Sequence, residues 1–317
     1  MNEVRTNEFG FRIAAGQSGP IPPGEGTILF LGDSQTTAVQ VPAESTYVSL
    51  IERELVRKGW AVKTMNAGSN GFNTVQEYLF FRKLYRQGFR PRIVVMYVTN
   101  NDLFEDVPEL PYGRYTVGPD GYLVPLPPDP ARLDLLRRAK ETPPPKPNFW
   151  LRNSAILRHV WYSYRILRTP RDVGGWVKNT YLRDDLDPLA RQRWELATAA
   201  IRSLNHLVSS YGGTLVIAVH PDPIEWSDAY YAKVIAALPE LSGRVDRMKL
   251  QRGYRRIAEK LGVQFIDMLQ EFPSISVREF RFALDPHANP SGHRVIASQL
   301  MKGLERIGVL GRPSDSG

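Results

Sequence analysis

The sequence predicts a doubly wound α/β protein: a three-layer α/β/α sandwich around a mainly parallel sheet of about five strands. Three observations lead there. Short apolar runs recur at 28–31, 93–98 and 214–219, each continuous, as strands buried on both faces require. Helical patterns lie between the runs at the spacing of βαβ units. Each run ends abruptly in polar residues, Gly32-Asp33-Ser34, Thr99-Asn100-Asn101-Asp102 and His220-Pro221-Asp222. In open α/β sheets the crevice beyond such strand ends is where ligands and catalytic groups collect.

Taken in order, residues 1–26 are polar and rich in glycine and proline, and are expected as a leader segment. Gly24-Glu25-Gly26 is not a dinucleotide fingerprint, because it precedes the strand it would have to follow and lacks the third glycine. The first strand, Thr27 to Leu31, delivers Ser34 into a turn. Ser45 to Lys58 has helical spacing at Val48, Ile51 and Leu55 and stops at Gly59. A short strand over 61–65 leads into Asn66-Ala67-Gly68-Ser69-Asn70-Gly71, and a helix over 74–86 places Tyr78, Leu79, Phe81 and Leu84 in the core.

The rhythm breaks after the strand 93–98. Residues 104–187 are expected as a loop-rich insertion, with a turn at Asp120-Gly121 and a helix over 148–167, and a further helix over 188–211 follows it. A span of that kind in an α/β domain is usually an active-site cover or a partner surface. The pattern then resumes with the strand 214–219, helices over 227–238 and 246–261, and a strand over 263–267. The final helix carries Val295, Ile296, Leu300 and Leu304 on one face. The reading is one domain over 27–308 and a flexible tail over 309–317.

Composition narrows the function classes. The chain of 317 residues contains no cysteine, which excludes disulfides, thiolate nucleophiles and Cys-ligated metals. The formal net charge is +8, but the basic residues are scattered as solvated helix faces, at Arg82/Lys83/Arg86, Arg137/Arg138/Lys140 and Arg252/Arg255/Arg256. No aromatic-interleaved basic motif accompanies them, so nucleic acid is not an expected partner. No run is long and apolar enough to span a bilayer, and Met1 to Gly26 has no signal-peptide pattern.

A hydrolytic serine needs a base, a group to orient that base and donors for the oxyanion. Strand ends and flanking loops offer all of these. Ser34 follows the first strand, Gly71 the second and Asn101 the third. His287 lies before the final helix, with Asp285 two residues earlier. A backbone N–H at a residue without Cβ approaches a substrate oxygen closely, and the Asn101 amide is a fixed side-chain donor.

Gly32-Asp33-Ser34, Asn66 to Gly71, Asn101-Asp102 and Asp285-Pro286-His287 occur in the order of the four blocks of the SGNH (GDSL-type) hydrolase superfamily, which the chain resembles over about 27–103 and 263–308. Asn7-Glu8-Phe9-Gly10-Phe11-Arg12 is similar to the leader ahead of the first block in many bacterial envelope-associated members. The resemblance implies a flavodoxin-like sheet, Ser34 as nucleophile, His287 as general base and Asp285 as the acid orienting it. It also implies an oxyanion hole of Ser34 N–H, Gly71 N–H and Asn101, and neither a metal nor an organic cofactor. Two departures stand out: Thr99 replaces the usual glycine of the third block, and acid and base are spaced Asp-x-His where Asp-x-x-His is common.

The expected activity is hydrolysis of a carboxylic ester through an acyl-serine, with a short acyl group on a carbohydrate or other polar alcohol. The aromatic residues Tyr112, Tyr115, Tyr122, Trp150 and Trp161 and the cations Arg114, Arg132 and Arg137 of the insertion suggest that substrate. A lipase or lysophospholipase, an O-acyltransferase, and a silent binding module using the same crevice stay open. His293 is expected in a structural role within the final helix, and His220 and Asp222 as possible substrate contacts. His159 and His206 lie in helical stretches away from the chemistry. Asp33, Asn66 and Asp102 are expected as supports of the site, and Asp222 and Asp267 as the alternatives to Asp285. The resemblance suggests a periplasmic or extracellular bacterial protein, the bare residues a cytoplasmic one; the oligomeric state is open.

Overall fold

The computed structural model describes residues 4–14, 26–106, 109–110, 113–127, 129–131, 134, 177–178, 180–269, 272, 275–283 and 285–311. The helix expected over 148–167, with Trp150, Trp161 and His159, lies outside them, as do Tyr112, Arg132 and Arg137.

Two short strands, β1 (Arg5–Thr6) and β2 (Arg12–Ile13), form an antiparallel hairpin from the leader. The turn between them follows from its residues. Asn7 Oδ1 accepts the N–H groups of Phe9 and Phe11, and Gly10 takes the left-handed conformation at φ +86°. Phe11 is thereby pointed into the core, where its ring meets Phe89 edge-on at 5.5 Å. Burying such a ring contributes about 1.5–3 kcal/mol.

β3 (Thr27–Gly32) leads into the one-turn helix α1 (Ser34–Thr37), and α2 (Tyr47–Arg57) returns to β4 (Lys63–Gly68). Then come α3 (Thr74–Arg86), β5 (Ile93–Val98) and the short α4 (Asp102–Glu105). Within the insertion β6 (Glu109–Leu110), β7 (Gly113–Val117) and β8 (Leu123–Leu126) make a three-stranded antiparallel sheet. The expected turn is there, with Gly121 at φ +80°. That sheet is fastened to α5 (Ala190–Ser209) by Leu123 N–H donating to Ser203 Oγ at 3.0 Å.

After α5 come β9 (Thr214–Val219), α6 (Pro223–Trp226), α7 (Asp228–Ala237), α8 (Lys249–Leu261), β10 (Gln264–Ile266), α9 (Val277–Phe280) and α10 (Pro290–Arg306). Among the described residues the main sheet has seven strands in the order β1-β2-β4-β3-β5-β9-β10. The five from β4 to β10 are parallel, in the doubly wound order that reverses at β3. The fold is therefore the expected α/β/α sandwich, lengthened on one edge by the leader hairpin.

Alternate residues of each strand face opposite layers. Leu29, Leu31, Met96, Val98 and Ile217 pack under α3, α5 and α8. Ile28, Phe30, Val95, Tyr97 and Val216 pack under α2 and α10. One difference from the sequence reading bears on the site. β4 starts later than expected and continues through Asn66 to Gly68, because its end pairs with Phe30 to Gly32.

Candidate active site

The carboxyl ends of β3, β4 and β5 form a shelf. Gly32 and Gly68 are partners on adjacent strands, and α1 lies directly against them. A Cβ on Gly32 would stand 2.1 Å from Thr36 Oγ1, and one on Gly68 2.4 Å from Thr37 N. Only glycine admits α1 so close, and that approach puts Ser34 at the helix start above the strand ends. Asp33 caps α1 by accepting Gln35 N–H at 2.8 Å. Burial raises the Asp33 pKa, opposed by hydrogen bonds from Gln35, Thr99 and Ser34 and by His287 nearby.

Far from α1 in sequence, two residues hold its far end. Asn66 Nδ2 donates to Thr36 O at 2.8 Å. The buried Arg12 guanidinium donates to Thr37 O at 2.5 Å, to Ala38 O and to Val41 O at 2.5 Å. Ala38 sits at φ 51°, an unusual conformation for a residue with a Cβ, inside that clamp.

The β5 end is shaped by Asp102, whose carboxylate accepts Thr99 N–H at 2.8 Å. Thr99 Oγ1 donates to Asn101 Oδ1 at 2.7 Å. This fixes the Asn101 carboxamide, whose Nδ2 also donates to Glu105 Oε2 at 3.3 Å, so Thr99, which stands where the resembled pattern has glycine, has a positioning role here. Asp33, Asn66 and Asp102 all occur as supports of the shelf.

The opposite flank is the loop between α9 and α10, described over 281–283 and 285–288. It closes on itself through Phe282 N–H to His287 O at 3.2 Å and Asn289 N–H to Phe280 O at 3.1 Å. Ala288 N–H reaches across to Gln35 Oε1 at 3.2 Å, which ties the loop to α1. Asp285 Oδ1 accepts the His287 backbone N–H at 2.9 Å and also the His287 ring at Nδ1. The two-residue spacing thus folds the acid back onto its own base. The Asp285 pKa is lowered: burial raises it, but the hydrogen bonds from the His287 side chain and backbone outweigh that.

Shelf and loop meet where His287 Nε2 lies 2.8 Å from Ser34 Oγ. A hydroxyl, an imidazole and a carboxylate are therefore in hydrogen-bonded series, the arrangement by which a serine is deprotonated as it attacks. All three line a cleft of about 370 Å³, with Asn101 on the shelf side. Gly71, at φ +72° in the turn after β4, is not in that lining; its glycine is required by the backbone angle.

Burial gives His293 the structural role expected of it and encloses His220, expected as a possible substrate contact. His293 is enclosed within α10, accepts Tyr47 N–H at Nδ1 (3.3 Å) and stacks on the Tyr47 ring. His220 is enclosed beneath the cleft with Nδ1 2.9 Å from Tyr97 Oη. Burial, and the positive charge of neighbouring groups, lowers each to about 3. His206 lies on α5 against Tyr122, 5.5 Å between ring centres. Of the alternative acids, Asp267 pairs with Arg255 at 2.5 Å, whereas Asp222 lines the cleft.

Sequence reasoning missed Arg12, Glu77, Tyr230 and Arg281. Glu77 is enclosed in α3 under the shelf, and burial, with Asp33 and Asp106 as negative neighbours, raises its pKa far above the carboxylate range. The only advance signal was a glutamate on the otherwise apolar face of that helix. For substrate contact, the described aromatics of the insertion are elsewhere: Tyr122 meets His206, and Tyr115 packs against the core under α5. The cleft wall comes instead from Tyr230 of α7 and Arg281 and Phe282 of the loop. Among the described residues, no cluster of three or more His, Asp or Glu is placed to hold a metal ion.

No protein-family model matches the sequence, and no curated protein does. Solved structures that resemble the fold include TesA, at 12% identity over 89% of this chain and 99% of that one with a TM-score of 0.45. The acetylxylan esterase Axe2 of Geobacillus stearothermophilus, as its S15A mutant, matches at 13% identity over 89% and 95% with a TM-score of 0.46. A lipolytic protein of the G-D-S-L family from Veillonella parvula matches at 13% over 88% and 98% with a TM-score of 0.45. What defines the class of site is internal to this chain: a Ser–His–Asp series at the carboxyl edge of a doubly wound parallel sheet.

Proposed function

We propose that the chain is a serine ester hydrolase of the SGNH type that acts through an acyl-serine. The observation that carries the reading is the Ser34–His287–Asp285 series, with 2.8 Å between Ser34 Oγ and His287 Nε2. Ser34 Oγ attacks the ester carbonyl carbon while its proton passes to His287 Nε2. Asp285 at Nδ1 holds the tautomer and stabilises the imidazolium. The oxyanion is met by Ser34 N–H and Asn101 Nδ2, with Gly71 N–H the third donor that the SGNH resemblance implies. Collapse breaks the bond to the alcohol, which leaves with the His287 proton. Water then repeats the sequence on the acyl-serine and releases the acid.

The acyl group is short and the alcohol polar, a sugar or a similar polyol, because charged and hydroxyl-bearing side chains share the cleft with the triad. A fluorophosphonate, which reacts only with an activated serine, tests the reading. The wild-type protein is expected to form one adduct, on Ser34, and to hydrolyse p-nitrophenyl acetate. Ser34→Ala is expected to do neither while keeping its thermal transition. A wild-type protein that takes no label has a binding crevice and no activated serine.

A further inference from the structure

One wall of the cleft takes no part in the proton path. Past His287 the lining includes, among the described residues, Arg281, Phe282 and Ala283 of the loop, Tyr230 of α7, and Asn100 and Asp222 from two strand ends. These residues are ordered against one another. The Arg281 guanidinium carbon stands 4.8 Å from the centre of the Tyr230 ring. Asn100 Nδ2 donates to Asp222 Oδ2 at 2.8 Å, and Asp222 Oδ1 accepts Ile224 N–H at 3.0 Å. Asp222 is 5% exposed, so its carboxylate is fixed where it lines the cleft. Burial raises it to about 6, with Arg281 acting in the opposite direction.

The direction of proton transfer sets what this wall contacts. His287 returns its proton to the departing oxygen, so the alcohol half of the ester leaves along the His287 side. The loop that carries His287 carries Arg281 and Phe282 too. A planar guanidinium, a carboxylate braced by a carboxamide and two aromatic side chains supply paired donors, paired acceptors and apolar surface. Adjacent hydroxyls on a ring, with C–H edges between them, use all of these at once. A long alkyl alcohol would leave the same charges desolvated and unpartnered.

We propose that Arg281, Tyr230 and Asp222 form the subsite for the alcohol half of the ester, and that this half is a glycosyl ring bearing adjacent free hydroxyls. The assignment rests on the ester-hydrolase reading for the direction of the substrate, so its test separates the two. In the first measurement, kcat and KM are determined for 6-O-acetylglucose and for p-nitrophenyl acetate with wild type, Arg281→Ala and Asp222→Asn. The asparagine keeps the cap on Ile224. Each variant is expected to lower the preference for the sugar ester over the aryl ester by about 10–100-fold, the scale of lost hydrogen bonds to a charged group, through KM more than kcat. Unchanged preference overturns the subsite.

The second measurement needs no turnover: saturation-transfer NMR of 6-O-acetylglucose with Ser34→Ala protein. Binding to this variant, lost on adding Arg281→Ala, is expected. Absence of binding, or binding indifferent to Arg281, overturns the subsite even when p-nitrophenyl acetate is hydrolysed. Binding that depends on Arg281 in a protein whose wild type takes no fluorophosphonate would uphold the subsite and remove the hydrolase reading instead.

Discussion

The shelf that carries Ser34 and the loop that carries His287 meet across 2.8 Å, yet they are built by opposite means. The shelf is assembled from distant parts of the chain. Three parallel strand ends, the Arg12 guanidinium from the leader and Asn66 all converge on α1. The loop is local: Asp285 folds onto His287, and the backbone closes between Phe280 and Asn289. A structure made of long-range contacts shares its free energy with the whole fold. A structure made of a short closed turn leaves the fold largely intact when one side chain is lost. Damage to the shelf should therefore read out as stability, and damage to the loop as lost chemistry.

The sharpest way to break that contrast is at the loop. His287→Ala should lower kcat for p-nitrophenyl acetate by about 10³–10⁶-fold, and Asp285→Asn by about 10²–10⁴-fold, each with the thermal midpoint within a few degrees of wild type. If either variant unfolds early, the loop is a structural element as much as the shelf is. A smaller effect is expected on the other flank. Arg12→Met should cost about 2–4 kcal/mol in denaturant unfolding, since three carbonyls lose a charged donor, while residual activity at low temperature stays well above that of His287→Ala. Loss of activity with no loss of stability would place Arg12 with the loop.

The pH-dependent effect concerns the buried imidazole under the shelf. His293 is held at about 3, below the unfolded value near 6.5. The folded state binds fewer protons, so this group's contribution to stability is complete above about pH 6.5 and is lost as pH falls toward 3. The loss is about 1.4 kcal/mol per pH unit at most. His293→Gln should therefore be less stable than wild type at pH 7.5 by unfolding in urea, and the gap should narrow between pH 6.5 and 4. A gap independent of pH would show that His293 does not stay neutral in the folded protein.

How much was legible follows the same division. Ser34 and Asn101 are legible because apolar runs stop beside them, and a parallel strand that stops delivers its next residues to one edge. His287 and Asp285 are legible because they precede a helix start in a two-residue motif. The strand expected at 61–65 runs on to Gly68, because its end is defined by pairing with β3 and not by its own apolar content. Arg12, Tyr230 and Arg281 gain their meaning from neighbours distant in the chain, as with Arg12 and Thr37 or Arg281 and Tyr230, and no local pattern marks such pairings; Asp222 is marked by its strand end, but not its bond from Asn100. Of the insertion's aromatics the two described, Tyr115 and Tyr122, face α5 and its surroundings, a placement that residue type alone does not signal.

The hairpin of residues 5–13 also has a consequence for solubility. β4 would otherwise be an outer strand of the parallel sheet, and an outer strand with unpaired N–H and C=O groups recruits strands from other molecules. β2 lies along it, paired at Arg12 and Asn66, and β1 adds a further short strand, with Arg5 and Thr6 exposed. The sheet therefore ends in a two-residue polar strand in place of a six-residue one. A chain begun after Ala14 would keep Ser34, Asn101 and His287 but present β4 as an open template for self-association.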